Sequence, residues 1–102
     1  MERNRVRLLL GAWDDWLQAE VWYASVDDDL VKRFDDALNV AVAEIRERPT
    51  SWPRTKGNCR YRLVKGFPFR VLYYLDEEVI VVVAIAHLRR KPGYWLRRLR
   101  NR

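Results

Sequence analysis

The chain has 102 residues, 49% of them hydrophobic and 33% charged, which suits one domain with a single core and excludes a disordered or low-complexity chain. No run of about 18 apolar residues occurs, which argues against a membrane span, and a single cysteine, Cys59, cannot form an internal disulfide. The net charge of +6 favours a polyanionic partner. We expect one cytosolic domain over residues 1–102, without a cofactor.

Charge is divided unevenly between the two halves of the chain. Residues 1–51 carry seven Lys/Arg and eleven Asp/Glu, whereas residues 52–102 carry thirteen Lys/Arg and three Asp/Glu. Ten of those thirteen cations are arginines, whose planar guanidinium pairs with phosphate or carboxylate and stacks on bases. Ordinary solvated faces are one explanation. The aromatic residues in the same half favour a surface for nucleic acid or for an acidic protein segment.

The first half is predicted to be a short strand followed by a helical hairpin. The apolar run at residues 6–10 suits a strand, and Gly11 punctuates it. Apolar residues then recur with helical spacing over residues 12–48, with a second helix start at Asp27–Asp29 and a stop at Pro49. Beside its core-facing stripe, the first helix carries a further apolar stripe of Trp13, Leu17, Val21 and Ala24.

The second half is predicted to be three consecutive strands. After a loop at residues 49–57 the apolar period changes to two. Strands then follow around residues 58–64, 69–75 and 79–86, and the uncharged third strand suits a central position covered on both faces. Pro92 opens a last, basic helical stretch. The order β-α-α-β-β-β predicts an α+β domain, with the helical hairpin packed on one face of an antiparallel sheet.

A cationic patch is predicted on the sheet face that the helices leave open. Arg60 and Arg62 share one face of a strand because they are two residues apart, and a meander can bring Arg70 beside them. Residues 89–91, Arg-Arg-Lys, follow the central strand. An alternative is that these arginines only keep an open sheet face soluble.

The residues after the central strand, HLRRKPGYW, combine the only histidine with cations and aromatics. Histidine is the usual side chain for acid–base work near neutral pH, but a lone histidine such as His87 is more often structural. Tyr94 and Trp95 suit either a packing clamp for the tail or, beside the cations, base stacking and proton transfer. No Cys, His or carboxylate cluster has metal-ligand spacing, so no metal site is predicted.

An ordered set of segments, IRERP, then FPFRVLYYL, then AHLRRKPGYW, resembles the RelE/ParE superfamily of bacterial toxins, the toxin halves of type II toxin–antitoxin modules. The resemblance covers residues from about Val6 to Arg98. It implies a helical hairpin against an antiparallel sheet, as the periodicity also indicates. It further implies that the partner is a cognate antitoxin, whose helix would cover the apolar face of Trp13, Leu17, Val21 and Trp22.

The resemblance implies two different activities. RelE-like members cut messenger RNA on the ribosome, and on that basis Arg70, Arg89, Tyr94 and His87 are the expected catalytic residues of an endoribonuclease. The residues expected to hold RNA phosphates are Arg60, Arg62, Arg90 and Lys91. The chain departs from that pattern because its strand cations are arginines, which are poor general bases. ParE-like members instead inhibit DNA gyrase without nuclease activity. The nuclease is our main expectation and the gyrase inhibitor is the alternative, and a shared site for the four catalytic candidates would favour the nuclease.

Overall fold

The computed structural model describes residues 4–100 and confirms the α+β class. Two helices separate the first strand from the remaining four, and a 3₁₀ helix closes the described chain. The strands are β1 (Arg5–Leu8), β2 (Arg54–Thr55), β3 (Cys59–Leu63), β4 (Phe69–Asp76) and β5 (Val79–His87). The helices are α1 (Leu10–Ala24), α2 (Asp28–Glu47), a short 3₁₀ turn at Lys56–Asn58 and the C-terminal 3₁₀ helix Tyr94–Leu99.

The five strands form one sheet in the order β1-β5-β4-β3-β2. The predicted antiparallel meander is present as β3-β4-β5, but β1 pairs with β5 in parallel. Parallel pairing needs a crossover, and the helical hairpin supplies it on one side of the sheet. The predicted loop at 49–57 contains the two-residue strand β2, which extends the sheet beyond β3. As predicted, β5 is an interior strand, and its residues from Ile80 to Ala86 are buried.

Local sequence explains the helical hairpin. The side chain of Asp27 caps α2 by accepting a hydrogen bond from the backbone N–H of Asp29, and Asp28 and Asp29 place carboxylates at the positive end of the helix dipole. The helix ends at Glu47, two residues before Pro49. Gly11, which we expected to end the first strand, lies within the first turn of α1.

Two apolar clusters lie on opposite faces of the sheet. The inner face, which includes Val71, Tyr73 and Ile85, packs under the two helices. The outer face, which includes Leu72, Ala84 and Ala86, packs under Trp95 of the 3₁₀ helix. The basic C-terminal stretch, predicted as a helix or tail, therefore covers part of the sheet, and its last two residues lie outside the described range.

Candidate functional site

One buried carboxylate joins α1, β5 and the C-terminal 3₁₀ helix. The side chain of Asp15 is 4% exposed and accepts hydrogen bonds from the Ile85 backbone N–H at 3.0 Å and the Tyr94 hydroxyl at 3.1 Å. It also binds both terminal nitrogens of Arg98, at 2.7 and 3.1 Å. A buried carboxylate is tolerated only when paired and hydrogen-bonded, and these donors satisfy that need. We call this group, with Arg90, the Asp15 network.

The Asp15 network supplies hydrogen-bond partners to the part of β5 that β1 does not reach. The parallel partner of β5 stops at Leu8, which pairs with Val82, and α1 then runs along the edge of β5. The Ile85 N–H beyond that point binds Asp15, while Arg98 donates to the carbonyl of Val83 at 3.0 Å. A carboxylate and a guanidinium thus pair two backbone groups of β5 that lie beyond the last residue pair of the β1–β5 ladder.

The Asp15 network also shifts the pKa values of Tyr94 and Arg98. Burial, followed by the charge of Asp15, raises the pKa of Tyr94 to about 12. Burial alone would lower the pKa of Arg98, but the hydrogen bond and charge of Asp15 outweigh it and raise that pKa. The Arg90 guanidinium stacks 3.6 Å above the Tyr94 ring and lies 3.7 Å from Asp15. Tyr94 is therefore a neutral phenol that ties the C-terminal 3₁₀ helix to α1.

His87 lies on the inner face at the end of β5. It pairs across the strands with Phe69, and the two rings meet edge-on with centroids 5.0 Å apart. Its Nδ1 accepts a hydrogen bond from the Arg89 backbone N–H at 3.0 Å. His87 also lines a groove of about 290 Å³ between α1 and β5, together with Asp15, Gln18, Ala19, Trp22, Phe69, Ile85 and Arg90.

The predicted arginine patch does not form, because its members lie on different faces. Arg60 and Arg62 pair with Tyr73 and Val71 and so point to the inner face, whereas Arg70 pairs with Leu63 and Ala86 on the outer face. On both strands, side chains two residues apart share a face of the sheet, as predicted. The expectation that Arg60, Arg62 and Arg70 share the open face is wrong, because α2 covers the edge where the first two lie.

Arg60 and Arg62 have structural partners. Arg62 makes two hydrogen bonds to the carboxylate of Glu44 in α2, at 3.0 and 3.2 Å, and its guanidinium lies 4.0 Å from the Trp52 ring centroid. Arg60 donates to the Trp52 carbonyl at 2.7 Å. These contacts hold the loop after α2 against the inner face of the sheet. Both guanidinium groups therefore already have binding partners within the chain.

The four expected catalytic residues are dispersed. Arg70 stacks over Tyr61 on the outer face, with 4.9 Å between guanidinium carbon and ring centroid, while His87 lies on the inner face. Tyr94 is bound to Asp15, and Arg89 is exposed on the turn after β5. Lys91, an expected phosphate ligand, is exposed on the same turn. Because Arg70 and His87 lie on opposite faces of the sheet, the four side chains do not share one site.

The expected antitoxin-binding residues form an exposed apolar face of α1. Trp13, Leu17, Val21 and Trp22 are each more than half exposed, and Leu10 extends the face at 87%. Trp13 stacks on Trp16 with ring centroids 5.8 Å apart, which holds its large ring in place on the helix surface. The monomer does not cover this face, as the second apolar stripe in the sequence predicted.

Sequence reasoning missed Asp15, Arg98 and Glu44. A signal for Asp15 was present, because it lies between Ala12 and Ala19 on the core-facing side of α1, where a carboxylate needs a partner. The identity of that partner was not readable, since Arg98 is 83 residues away. Within residues 4–100 no group of His, Cys, Asp and Glu is arranged to hold a metal ion, and no helix is long and apolar enough to cross a membrane.

The sequence profile of the ParE toxins of type II toxin–antitoxin systems, the parDE modules, matches residues 6–92. The chain belongs to the ParE toxin family. The chromosomal ParDE toxin–antitoxin system of P. aeruginosa contains a chain of the same fold, with a TM-score of 0.76 and 11% sequence identity, and the match covers 85% of this chain and 98% of that one. No curated protein matches the chain. Membership in the ParE family makes this chain a toxin component, and a toxin of a two-part module implies a cognate antitoxin.

Proposed function

We propose that this ParE-family toxin inhibits DNA gyrase by binding, without nuclease chemistry of its own. The observation that carries the proposal is the dispersal of the nuclease candidates: His87 and Arg70 point to opposite faces of the sheet. General acid–base catalysis requires groups within hydrogen-bond reach of one reacting centre. Family membership supports the same choice, since the profile matched is that of ParE toxins.

The state of Tyr94 also favours a binding toxin over a nuclease. A phenol with a pKa of about 12 transfers protons poorly near neutral pH, because proton transfer is most effective when the pKa of the group lies near that of the solution. Its hydroxyl is already bound to Asp15, so releasing it would leave a buried carboxylate short of a donor. Tyr94 thus has a structural explanation that needs no substrate.

Two assays with the purified toxin test this proposal. We expect the wild type to block supercoiling by gyrase and to leave ribosome-bound messenger RNA intact. Arg70→Ala is the informative variant, because Arg70 is one of the expected nuclease residues and its side chain is held by a stack on Tyr61 rather than by a buried hydrogen bond. Cleavage of messenger RNA that Arg70→Ala abolishes, with normal supercoiling, would contradict the proposal and restore the nuclease.

We further propose that the antitoxin packs on the exposed face of α1. An apolar helix face of this extent suits an amphipathic segment laid along it. The groove beside Trp22, which contains Asp15, His87 and Arg90, continues the same surface. Trp13, Leu17, Val21 and Trp22 are the proposed anchors.

A further inference from the structure

Two turns bring several cations together at one end of the sheet. The backbone N–H of Leu88 donates to the carbonyl of Pro68 at 2.9 Å, and Phe69 pairs with His87. The β3–β4 connection and the turn after β5 are therefore neighbours. Apart from Arg90, which lies 3.7 Å from Asp15, the cations at this end are Lys65, Arg70, Arg89 and Lys91, and we call these four the basic end.

Within residues 4–100, the four cations of the basic end have no acidic partner. No carboxylate of residues 4–100 lies within 4.0 Å of these four side chains. Lys65, Arg89 and Lys91 are exposed, and the half-buried Arg70 stacks on Tyr61. By contrast, Arg62, Arg90 and Arg98 each lie within 4.0 Å of a carboxylate. Unneutralised charge held at one end by backbone pairing is available to an external anion.

The chemistry of the basic end suits phosphate rather than a protein segment. Leu63 and Leu88 are exposed nearby, at 50% and 53%, but two leucines are too few to anchor a protein partner. The extended apolar surface that such a partner needs lies instead on α1, around Trp13 and Leu17. A duplex backbone requires only cations at intervals on an accessible surface.

We propose that the basic end binds the phosphate backbone of duplex DNA without sequence preference. The inference rests on the proposed function, because gyrase acts on duplex DNA and an inhibitor bound to the enzyme would lie beside it. The basic end would then add a contact to the DNA segment while another surface contacts the enzyme. The binding itself requires no gyrase and can be measured alone.

The test is fluorescence anisotropy of a labelled duplex of about 30 base pairs titrated with purified toxin between 50 and 200 mM NaCl. With four phosphates neutralised, we expect the logarithm of the affinity to fall with the logarithm of salt at a slope of about −3 to −4, which is about a hundredfold over this range. The double variant Arg89→Glu/Lys91→Glu should bind at least about tenfold more weakly, and its slope should be shallower by about 2.

The matched control is Lys32→Glu/Arg46→Glu, which changes the net charge equally at two exposed positions of α2. It should keep nearly wild-type affinity. Equal loss in both variants would show attraction by total charge only and would overturn the proposal, as would the absence of duplex binding at 50 mM NaCl. A polyglutamate peptide that displaces the duplex at equal charge would overturn it in favour of an acidic protein partner.

A supercoiling assay separates this inference from the proposed function. Inhibition of gyrase without duplex binding would refute the basic end as a DNA contact and leave the gyrase proposal standing. Duplex binding that Arg89→Glu/Lys91→Glu weakens, without inhibition of gyrase, would support the basic end and refute gyrase as the target.

Discussion

At the scale of single residues, Asp15 provides hydrogen bonds to β5 that a neighbouring strand would otherwise make. Its carboxylate accepts from the Ile85 backbone and from Arg98, and Arg98 in turn donates to the Val83 carbonyl. Each of these groups would be a buried polar group without a partner if one member were removed. The stability of the C-terminal 3₁₀ helix therefore depends on one side chain in α1.

Replacing Asp15 by alanine should be strongly destabilising. Arg98 would remain half-buried without its counterion and the Ile85 N–H would lose its acceptor, so we expect a loss of about 3–5 kcal/mol in the free energy of unfolding. Urea denaturation measures it. The matched control is Asp14→Ala, an exposed neighbour that should change stability by less than about 0.5 kcal/mol. Equal effects of the two substitutions would refute the proposed role of Asp15.

Arg62 is predicted to matter for stability and not for nucleic acid. Its bond to Glu44 is partly exposed, so Arg62→Ala should cost only about 1 kcal/mol, including the lost packing on Trp52. Thermal unfolding measures that cost, and duplex anisotropy should remain within about twofold of the wild type because the guanidinium is already occupied. A large loss of duplex affinity in a folded Arg62→Ala variant would return Arg62 to the phosphate-binding set.

At the scale of elements, one contact between α1 and α2 contains two carboxyl groups, Glu20 of α1 and Asp35 of α2. Trp16 of α1 donates its indole N–H to Asp35 of α2 at 2.8 Å. The protonated carboxyl of Glu20 donates a hydrogen bond to the Asp35 carboxylate, and this bond, with burial and the charge of Asp35, raises the pKa of Glu20 to about 7. The helical hairpin therefore contains a group that loses its proton near neutral pH.

This pair should make the hairpin less stable as the pH rises. The folded state holds the Glu20 proton between the unfolded pKa of 4.5 and the folded value of about 7. The stabilisation is therefore complete below the unfolded pKa and is lost as the pH rises through the folded pKa. Glu20→Gln should remove this dependence and raise stability at pH 8 by about 0.5 kcal/mol, since solvent screens the pair.

Thermal unfolding followed by circular dichroism from pH 5 to pH 8.5 measures this effect. For about 0.5 kcal/mol, the melting temperature of Glu20→Gln at pH 8 should exceed that of the wild type by about 2–4 °C. Glu47→Gln, at the exposed end of α2, is the control and should keep the wild-type pH profile. An unchanged profile in Glu20→Gln would show that Glu20 and Asp35 do not share a proton.

At the scale of the whole molecule, apolar and basic surfaces are separate. The exposed apolar face belongs to α1, and the basic end lies where the β3–β4 connection meets the turn after β5. This separation allows an antitoxin to cover the apolar face of α1 while the basic end stays exposed to solvent. It also explains the uneven charge of the sequence, since the sheet and tail carry the excess of arginine.

Truncating the apolar face should weaken antitoxin binding without unfolding the toxin. We expect Trp13→Ala/Leu17→Ala to bind the cognate antitoxin at least about tenfold more weakly, because large apolar anchors carry most of the energy of such interfaces. Isothermal titration calorimetry measures the affinity. Val40→Ala, at an equally exposed apolar position on α2, is the control and should bind normally. Unchanged affinity in Trp13→Ala/Leu17→Ala would exclude α1 as the docking face.

The sequence by itself determined the two long helices, the β3-β4-β5 meander and the exposed helix face. Helical spacing over residues 12–48, the Asp27 cap and the period of two after Asn58 are local signals, because each depends on neighbours within a few residues. The surplus stripe of Trp13, Leu17 and Val21 was readable for the same reason. The family resemblance likewise rests on ordered local segments.

Only the tertiary structure decided which side chains meet. The period of two correctly placed Arg60 with Arg62, but the face they share depends on strand pairing and on where α2 crosses, which are long-range facts. In the same way, the parallel pairing of β1 with β5 left the edge of β5 open, and that gap gave Asp15, Tyr94 and Arg98 their roles. A pattern of neighbours cannot determine contacts between residues 15 and 98, because the folded sheet alone brings them together.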